Sequence, residues 1–129
     1  MKDQLQIQPR LSETDSNGHI NNTSVMPWLE EGRLHLCRQQ AKIQQATVLA
    51  HLSADYRAEI EYGQPVQVTT WVQKLGNSSI HYRQQVHQGG SLCIDAHAVS
   101  VTFNTEQRSK EPLGDSSRSA LQRYLDKGE

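Results

Sequence analysis

Thr14-Asp15-Ser16-Asn17-Gly18-His19-Ile20-Asn21-Asn22 is followed within two residues by a run with helical periodicity. The stretch sets one carboxylate, one glycine and a row of small polar residues directly ahead of a helix start. A helix start carries backbone N–H groups without intrahelical partners and the positive end of the helix dipole, so it stabilises negative charge as it develops. A carboxylate facing such an end suits acyl transfer or hydrolysis.

The helix that follows is expected to run to about residue 40. Asn22, Thr23 or Ser24 is placed to cap it, and Pro27 is tolerated because it falls in the first turn. Val25, Trp28, Leu29, Gly32 and Leu36 form one stripe, and Glu30 and Glu31 precede Arg33 and Arg38, the order the dipole favours. Upstream, residues 4–11 alternate Leu5, Ile7, Pro9 and Leu11 with Gln4, Gln6, Gln8 and Arg10, a half-buried strand with Pro9 at its edge or end.

Downstream the period changes to two. Residues 47–60 form a long, bent strand, closed by the turn Glu61-Tyr62-Gly63-Gln64. Val66, Val68, Thr70 and Val72 mark the inner face of a strand ending at Leu75, and Gly76-Asn77-Ser78 makes a tight connection to Ile80, Tyr82, Gln84 and Val86. His87-Gln88-Gly89-Gly90-Ser91 reads as a hairpin turn, residues 92–104 as the last long strand and 105–115 as a connecting loop. Ser116 or Ser117 opens a short terminal helix to about residue 127. The order is strand, helix, then long antiparallel strands. One helix cannot cover both faces of a flat sheet, but a sheet curled around it buries both partners. The expectation is one α+β domain over residues 1–129, without repeats or low-complexity tracts.

Composition narrows the function classes. The chain has 129 residues, enough for one core, with 35% hydrophobic residues. Mean hydropathy is −0.72, low for a small globular protein. The regular period of the apolar residues argues for order, and a core completed by a partner subunit fits the polarity. A net charge of −1 gives no bulk basic field for nucleic acid. Cys37 and Cys93 lie in different elements without metal or framework spacing, which points to reduced thiols in a cytoplasmic setting. Residues 1–10 lack the apolar segment of a secretory leader, and no apolar run spans a membrane.

Three blocks resemble the hotdog-fold thioesterase superfamily, specifically its 4-hydroxybenzoyl-CoA thioesterase-like branch. Asp15-Ser16-Asn17-Gly18-His19-Ile20-Asn21-Asn22 is similar to the branch's D-x-x-G-H-x-N-N loop, continued by Trp28-Leu29-Glu30-Glu31-Gly32-Arg33. Asp55-Tyr56 through Tyr62-Gly63-Gln64-Pro65-Val66 resembles its strand–turn–strand, and Leu75-Gly76-Asn77-Ser78-Ser79-Ile80 its R-L-G-x-S-S hairpin. Order and spacing agree from about residue 4 to 104. The chain departs at Val25, where an aromatic is usual, and at Pro27, Glu59 and Gln64; Val25 reshapes the helix-lined side of the acyl pocket.

The resemblance implies a long curved antiparallel sheet wrapped around a central helix, with a short C-terminal helix. It implies hydrolysis of an acyl-CoA to free acid and CoA without metal or cofactor, in a homodimer or homotetramer whose site lies at the subunit boundary. Asp15 matches the catalytic acid, as nucleophile or general base. Gly18 leaves room for the approaching carbonyl, and Asn22 and Thr23 supply backbone N–H groups to the oxyanion. His19 and Asn21 order the loop. Val25 and Leu29 face the acyl group, while Ser78 and Ser79 lie near the CoA arm.

Other readings stay open. Asp15 beside Gly and Ser also suits a turn aspartate, and a carboxylate so engaged would favour a non-catalytic acyl-CoA-binding hotdog. A positive collar would favour an acyl-carrier-protein thioester, and a dehydratase ranks behind both. Another hotdog branch carries its carboxylate on the helix, but Glu30 and Glu31 read as helix-face charges. His35, His51, His81, His87 and His97 show no paired metal spacing, and Arg57, Lys74 and Arg83 read as strand charges able to meet CoA phosphates. The residues leave open the acyl group and the choice between dimer and tetramer.

Overall fold

Alternation decides the faces of five strands, and their pairing builds one curled sheet. The computed structural model describes residues 1–127. Strand β1 (Asp3–Ile7) is followed by short 3₁₀ turns at Leu11–Glu13 and Asn22–Ser24. Helix α1 (Val25–Leu34) then continues as a π-helical turn, His35–Gln40. Next come β2 (Ala46–Tyr56), β3 (Val66–Leu75), β4 (Ser79–Gln88), β5 (Ser91–Asn104), the short β6 (Ser109–Lys110) and helix α2 (Asp115–Gln122). The sheet order is β1-β3-β4-β5-β2, with β6 beside β5 and every named pair antiparallel.

Register shifts at Leu49/His51, Val72/Lys74 and Val86/His87 bend the strands, because an extra residue on one strand kinks it and increases its twist. The sheet therefore wraps α1, the α+β hotdog arrangement expected from the sequence. The helix stripe is buried as read: Val25, Trp28, Leu29, Gly32 and Leu36 face the sheet. One core cluster gathers Val25, Trp28 and Leu29 with Ile60, Val68, Val86 and Ile94. A second joins Leu36 and Cys37 to Ile80, Tyr82 and the α2 residue Leu121.

Helix and sheet approach closely at Gly32. A methyl group there would lie 2.7 Å from Val68 Cγ1 and 2.8 Å from Gln84 Nε2. Gln84, fully buried, links the layers: its amide donates to Leu29 O at 2.9 Å and Thr70 Oγ1 at 3.0 Å, and its oxygen accepts from Arg33 at 3.0 Å. A buried amide is tolerated because its hydrogen-bonding groups find partners. The Gly89-Gly90 hairpin adopts the positive φ values its sequence requires, 57° and 83°.

Several boundaries differ from the expected ones. β1 ends at Ile7, not Leu11; Leu11 sits exposed in the 3₁₀ turn that starts the loop. β2 ends at Tyr56, not residue 60, because the Arg57 and Ala58 amides both turn to Cys93 O. Ile60 O is thereby left to accept from Ile20 N at 2.8 Å, anchoring the loop. The expected 105–115 loop contains β6. α2 begins at Asp115 and ends at Gln122; the following tail pairs with β3 through Val72 N to Tyr124 O, 2.9 Å, and Asp126 N to Val72 O, 2.8 Å. No described helix is long and apolar enough to cross a membrane.

Candidate active site

The loop before α1 is a small closed hairpin. Thr14 and Ile20 form an antiparallel bridge, and Asp15 N donates to His19 O at 2.7 Å. Gly18 makes the reversal with φ at +82°, a conformation open to glycine at little cost. Inside this turn Asp15 Oδ1 accepts from Asn17 N at 2.8 Å and His19 N at 3.1 Å. These two bonds orient the carboxylate through one oxygen. Among the described residues no protein donor reaches Oδ2.

Glu13 fastens the loop to the helix, a role without a signal in the sequence, where it looks like one more polar loop residue. It is buried, and its carboxylate accepts from Arg10 N at 2.8 Å and Trp28 Nε1 at 3.1 Å. Its carbonyl accepts from Asn21 N at 2.8 Å. The loop is thus held at both ends.

Ser24, one of the three expected positions, is the N-cap of α1 but makes no side-chain capping bond; the side-chain cap is Asn21, on the 3₁₀ turn just ahead of the helix. Asn21 Oδ1 accepts from Thr23 N at 3.0 Å and Thr23 Oγ1 at 2.8 Å, the usual arrangement for a capping asparagine. Thr23 N–H is therefore directed to Asn21 and not towards a ligand. The neighbouring Asn22 amide has no protein acceptor among the described residues.

Asp15, His19, Asn22 and Val25 meet at a cleft of about 390 Å³. Its far wall comes from Tyr56, Arg57, Ala58 and Glu59 at the end of β2, and Ile20, Ile60 and Ile94 line it with apolar surface. Tyr56 Oη donates to Asn22 O at 3.3 Å, and His19 Nε2 lies 3.3 Å from Glu59 Oε2. Arg57 leans 3.5 Å towards Asp95 but leaves its side chain 54% exposed. Asp95 is held chiefly by Arg83, whose Nε and Nη2 donate at 3.0 and 2.7 Å. That hydrogen bonding pulls the Asp95 carboxyl below the ordinary carboxylate range, against the opposing effect of burial.

Other sequence candidates lie elsewhere. Gly18 shapes the loop without lining the cleft, and Leu29 is core beneath it. Ser78 and Ser79 are at the opposite end of the sheet: Ser79 pairs with Val101, whereas the cleft residue Ile94 pairs with Val86 and Tyr56. Among the described residues no three His, Cys, Asp or Glu side chains are grouped to hold a metal ion. Ile20 and Tyr56 were quoted only as motif, and they line the cleft together with Ala58, Ile60 and Ile94, to which the sequence assigned no place in the site.

A curled antiparallel sheet wrapped around one central helix defines the hotdog class. The thioesterase-like superfamily profile matches residues 9–121, and the chain belongs to that family of thioester hydrolases. A predicted thioesterase from Bacillus stearothermophilus superposes with TM-score 0.93 at 32% identity, covering 100% of both chains. A thioesterase from Thermus thermophilus, complexed with coenzyme A and zinc, gives TM-score 0.86 at 22% identity over 98% of this chain and 94% of its own. A 1,4-dihydroxy-2-naphthoyl-CoA thioesterase from Synechocystis gives 0.80 at 18% identity over 94% and 96%. No functionally curated protein matches the sequence.

Proposed function

We propose that this protein hydrolyses an acyl-CoA to the free carboxylic acid and CoA, with Asp15 as the catalytic carboxylate. The observation that carries this reading is that Asp15 and Asn22, at the helix start, border one cleft with an apolar wall. A thioester carbonyl directed at Asn22 N–H has its developing negative charge stabilised at the helix start. Asp15 then either attacks the carbonyl carbon or takes a proton from the attacking water. In the first route the C–S bond breaks to leave the acyl group as an anhydride on Asp15, which water then hydrolyses to the free acid; in the second the water oxygen stays on the carbonyl carbon as the C–S bond breaks. In both, a proton released by water goes to the leaving thiolate, giving CoA. Exposed Arg57 at the mouth supplies a cation for an anionic part of the substrate. The scheme uses no cofactor, and two buried free cysteines suit a reducing cytoplasm.

A homodimer through β2 completes the site in this reading. β2 has eleven residues and one unpaired edge, with Val48 and Leu49 exposed at 47% and 48%. Two such edges paired antiparallel bring the start of one β2 beside the end of the other. Because Ser79 lies level with the start of β2 and Tyr56 at its end, the Ser78-Ser79 turn of a second copy comes to the Asp15 cleft.

One observation favours a non-catalytic acyl-CoA-binding protein: Asp15 Oδ1 is already engaged by two loop amides. Thiol release from a panel of acyl-CoAs, with wild type and Asp15→Asn, separates the two. The catalytic reading expects turnover that falls by about 10²–10⁴ in the variant, the usual weight of a positioned base. Undiminished activity in Asp15→Asn sinks the mechanism. Absence of hydrolysis for every acyl group moves the conclusion to binding.

A further inference from the structure

At the Asp15 cleft, His19 Nε2 lies 3.3 Å from Glu59 Oε2. Backbone pairing sets the contact. His19 bridges Glu61 antiparallel, and Ile20 N donates to Ile60 O at 2.8 Å, so the second arm of the loop runs beside the chain that leaves β2. The first arm is tied to the same histidine: Asp15 N donates to His19 O at 2.7 Å, and Asp15 Oδ1 accepts from His19 N at 3.1 Å. His19 thus orients the carboxylate through its backbone and brings an imidazole to the same cleft through its side chain.

The His19–Glu59 pair does not account for the loop's stability. Its side chains are 35% and 70% exposed, and exposed ion pairs contribute little to folding. Glu59 is also a position at which the chain departs from the family pattern. The pair does fix the imidazole. With Nε2 turned to a carboxylate, Nε2 carries the proton and Nδ1 is left as the acceptor, because the partner of one ring nitrogen sets the state of the other. The other charged or titratable side chains at the cleft are Asp15 on the loop and Tyr56 and Arg57 at the exit of β2. Arg57 leans to Asp95 at 3.5 Å, and Tyr56 Oη donates to Asn22 O at 3.3 Å, which leaves Glu59 as the partner of the ring.

We propose that His19 carries the protons of the hydrolysis and that Glu59 positions its imidazole. This rests on Asp15 as the catalytic carboxylate, in the route through an anhydride. There a carboxylate that holds the acyl group cannot also take the proton of the water that releases it, so a second base is required. As Asp15 bonds to the acyl carbon and the C–S bond breaks, protonated His19 gives its Nδ1 proton to the thiolate, forming CoA. The neutral imidazole then takes a proton from water at Nδ1. The water oxygen bonds to the acyl carbon, the bond from that carbon to Asp15 breaks, and the free acid leaves. Asp15 is again ionised and His19 again protonated. Glu59 accepts from Nε2–H in both steps and favours the imidazolium.

Thiol release with mass spectrometry of the quenched full chain tests the assignment. His19→Gln lowers steady-state kcat by about 10²-fold or more with KM little changed. It also shows a burst of thiol release stoichiometric with the chain and an acyl adduct on the Asp15 peptide, which a merely structural defect does not produce. Added imidazole restores turnover to His19→Ala. Glu59→Ala lowers kcat by about tenfold, and Glu59→Asp keeps more activity than Glu59→Ala. Thermal melts verify that each variant is folded. Unchanged kcat in His19→Gln or in Glu59→Ala overturns the proposal, as does a loss in His19→Gln with neither acyl adduct nor imidazole rescue of His19→Ala. Those results leave the hydrolytic reading standing if Asp15→Asn is still impaired, whereas a wild type that hydrolyses no acyl-CoA removes both.

Discussion

Trp28 donates its indole N–H to Glu13 at 3.1 Å, joining the first turn of α1 to the residue just before the Asp15 loop. The same carboxylate accepts the Arg10 amide. Replacing Glu13 with Ala leaves the buried indole N–H without its acceptor, at a cost of about 1–3 kcal/mol in unfolding free energy. Glu13→Gln keeps an acceptor of the same shape and is expected to cost less. Urea denaturation of both variants measures the difference, and equal losses would show that charge, not the hydrogen bond, matters.

Gly32→Ala sets two effects against each other. Alanine gains about 1 kcal/mol in helix propensity. The added methyl, within 3 Å of Val68, Gln84 and Thr70 side-chain atoms, costs about 1–3 kcal/mol through overpacking. A net loss of stability is expected in thermal melts. A variant as stable as wild type would mean that α1 lifts from the sheet easily.

The Arg83–Asp95 pair makes stability depend on acid. Asp95 has its folded pKa lowered from the ordinary value of 3.8, first by the Arg83 hydrogen bonds. The pair's contribution is therefore full above the unfolded pKa and is lost as pH falls through the lower folded one. Asp95→Asn is expected to cost about 2 kcal/mol at neutral pH and to weaken the loss of stability below pH 3.8. An unchanged acid limb in denaturation measured against pH would refute this.

Leu49→Lys on the open edge of β2 tests the dimer. Wild type is expected to elute from gel filtration at twice the chain mass of 14.6 kDa, and the variant closer to one chain. A lysine on a strand edge opposes pairing with another edge through charge and desolvation. A monomeric wild type at micromolar concentration would remove the shared-site picture.

Burial raises the pKa of both cysteines, Cys37 and Cys93, and so reduces their thiolate fraction. A disulfide-exchange reagent is expected to label neither in the native protein within minutes and both after unfolding. Rapid labelling of Cys93 alone would report opening of β5 near the cleft.

Much of the fold was legible because it rests on local period. Val66, Val68, Thr70 and Val72 declared the inner face of β3, and Gly89-Gly90 its neighbouring hairpin, from spacing alone. Strand ends were less legible. β2 stops at Tyr56 because Cys93 O, distant in sequence, captures the next two amides, and no propensity near residue 57 announces that. The cleft was half legible. Asp15, His19, Asn22 and Val25 come from one continuous stretch, whereas Tyr56, Ile60 and Ile94 arrive from elsewhere in the chain.

Sequence by itself determined the family, the order of elements and the carboxylate to test, since each depends on neighbours within a few residues. Tertiary structure alone decided where the loop amides go: Asn21 caps the 3₁₀ turn ahead of α1 and takes Thr23 N–H, while Asn22 lines the cleft. It also buried Glu13 under Trp28, set Ser78 and Ser79 at the opposite end of the sheet, and brought Glu59 to His19 at the cleft. Those outcomes depend on strand register and on helix packing between residues far apart in the chain, and no local pattern encodes a distance across the core.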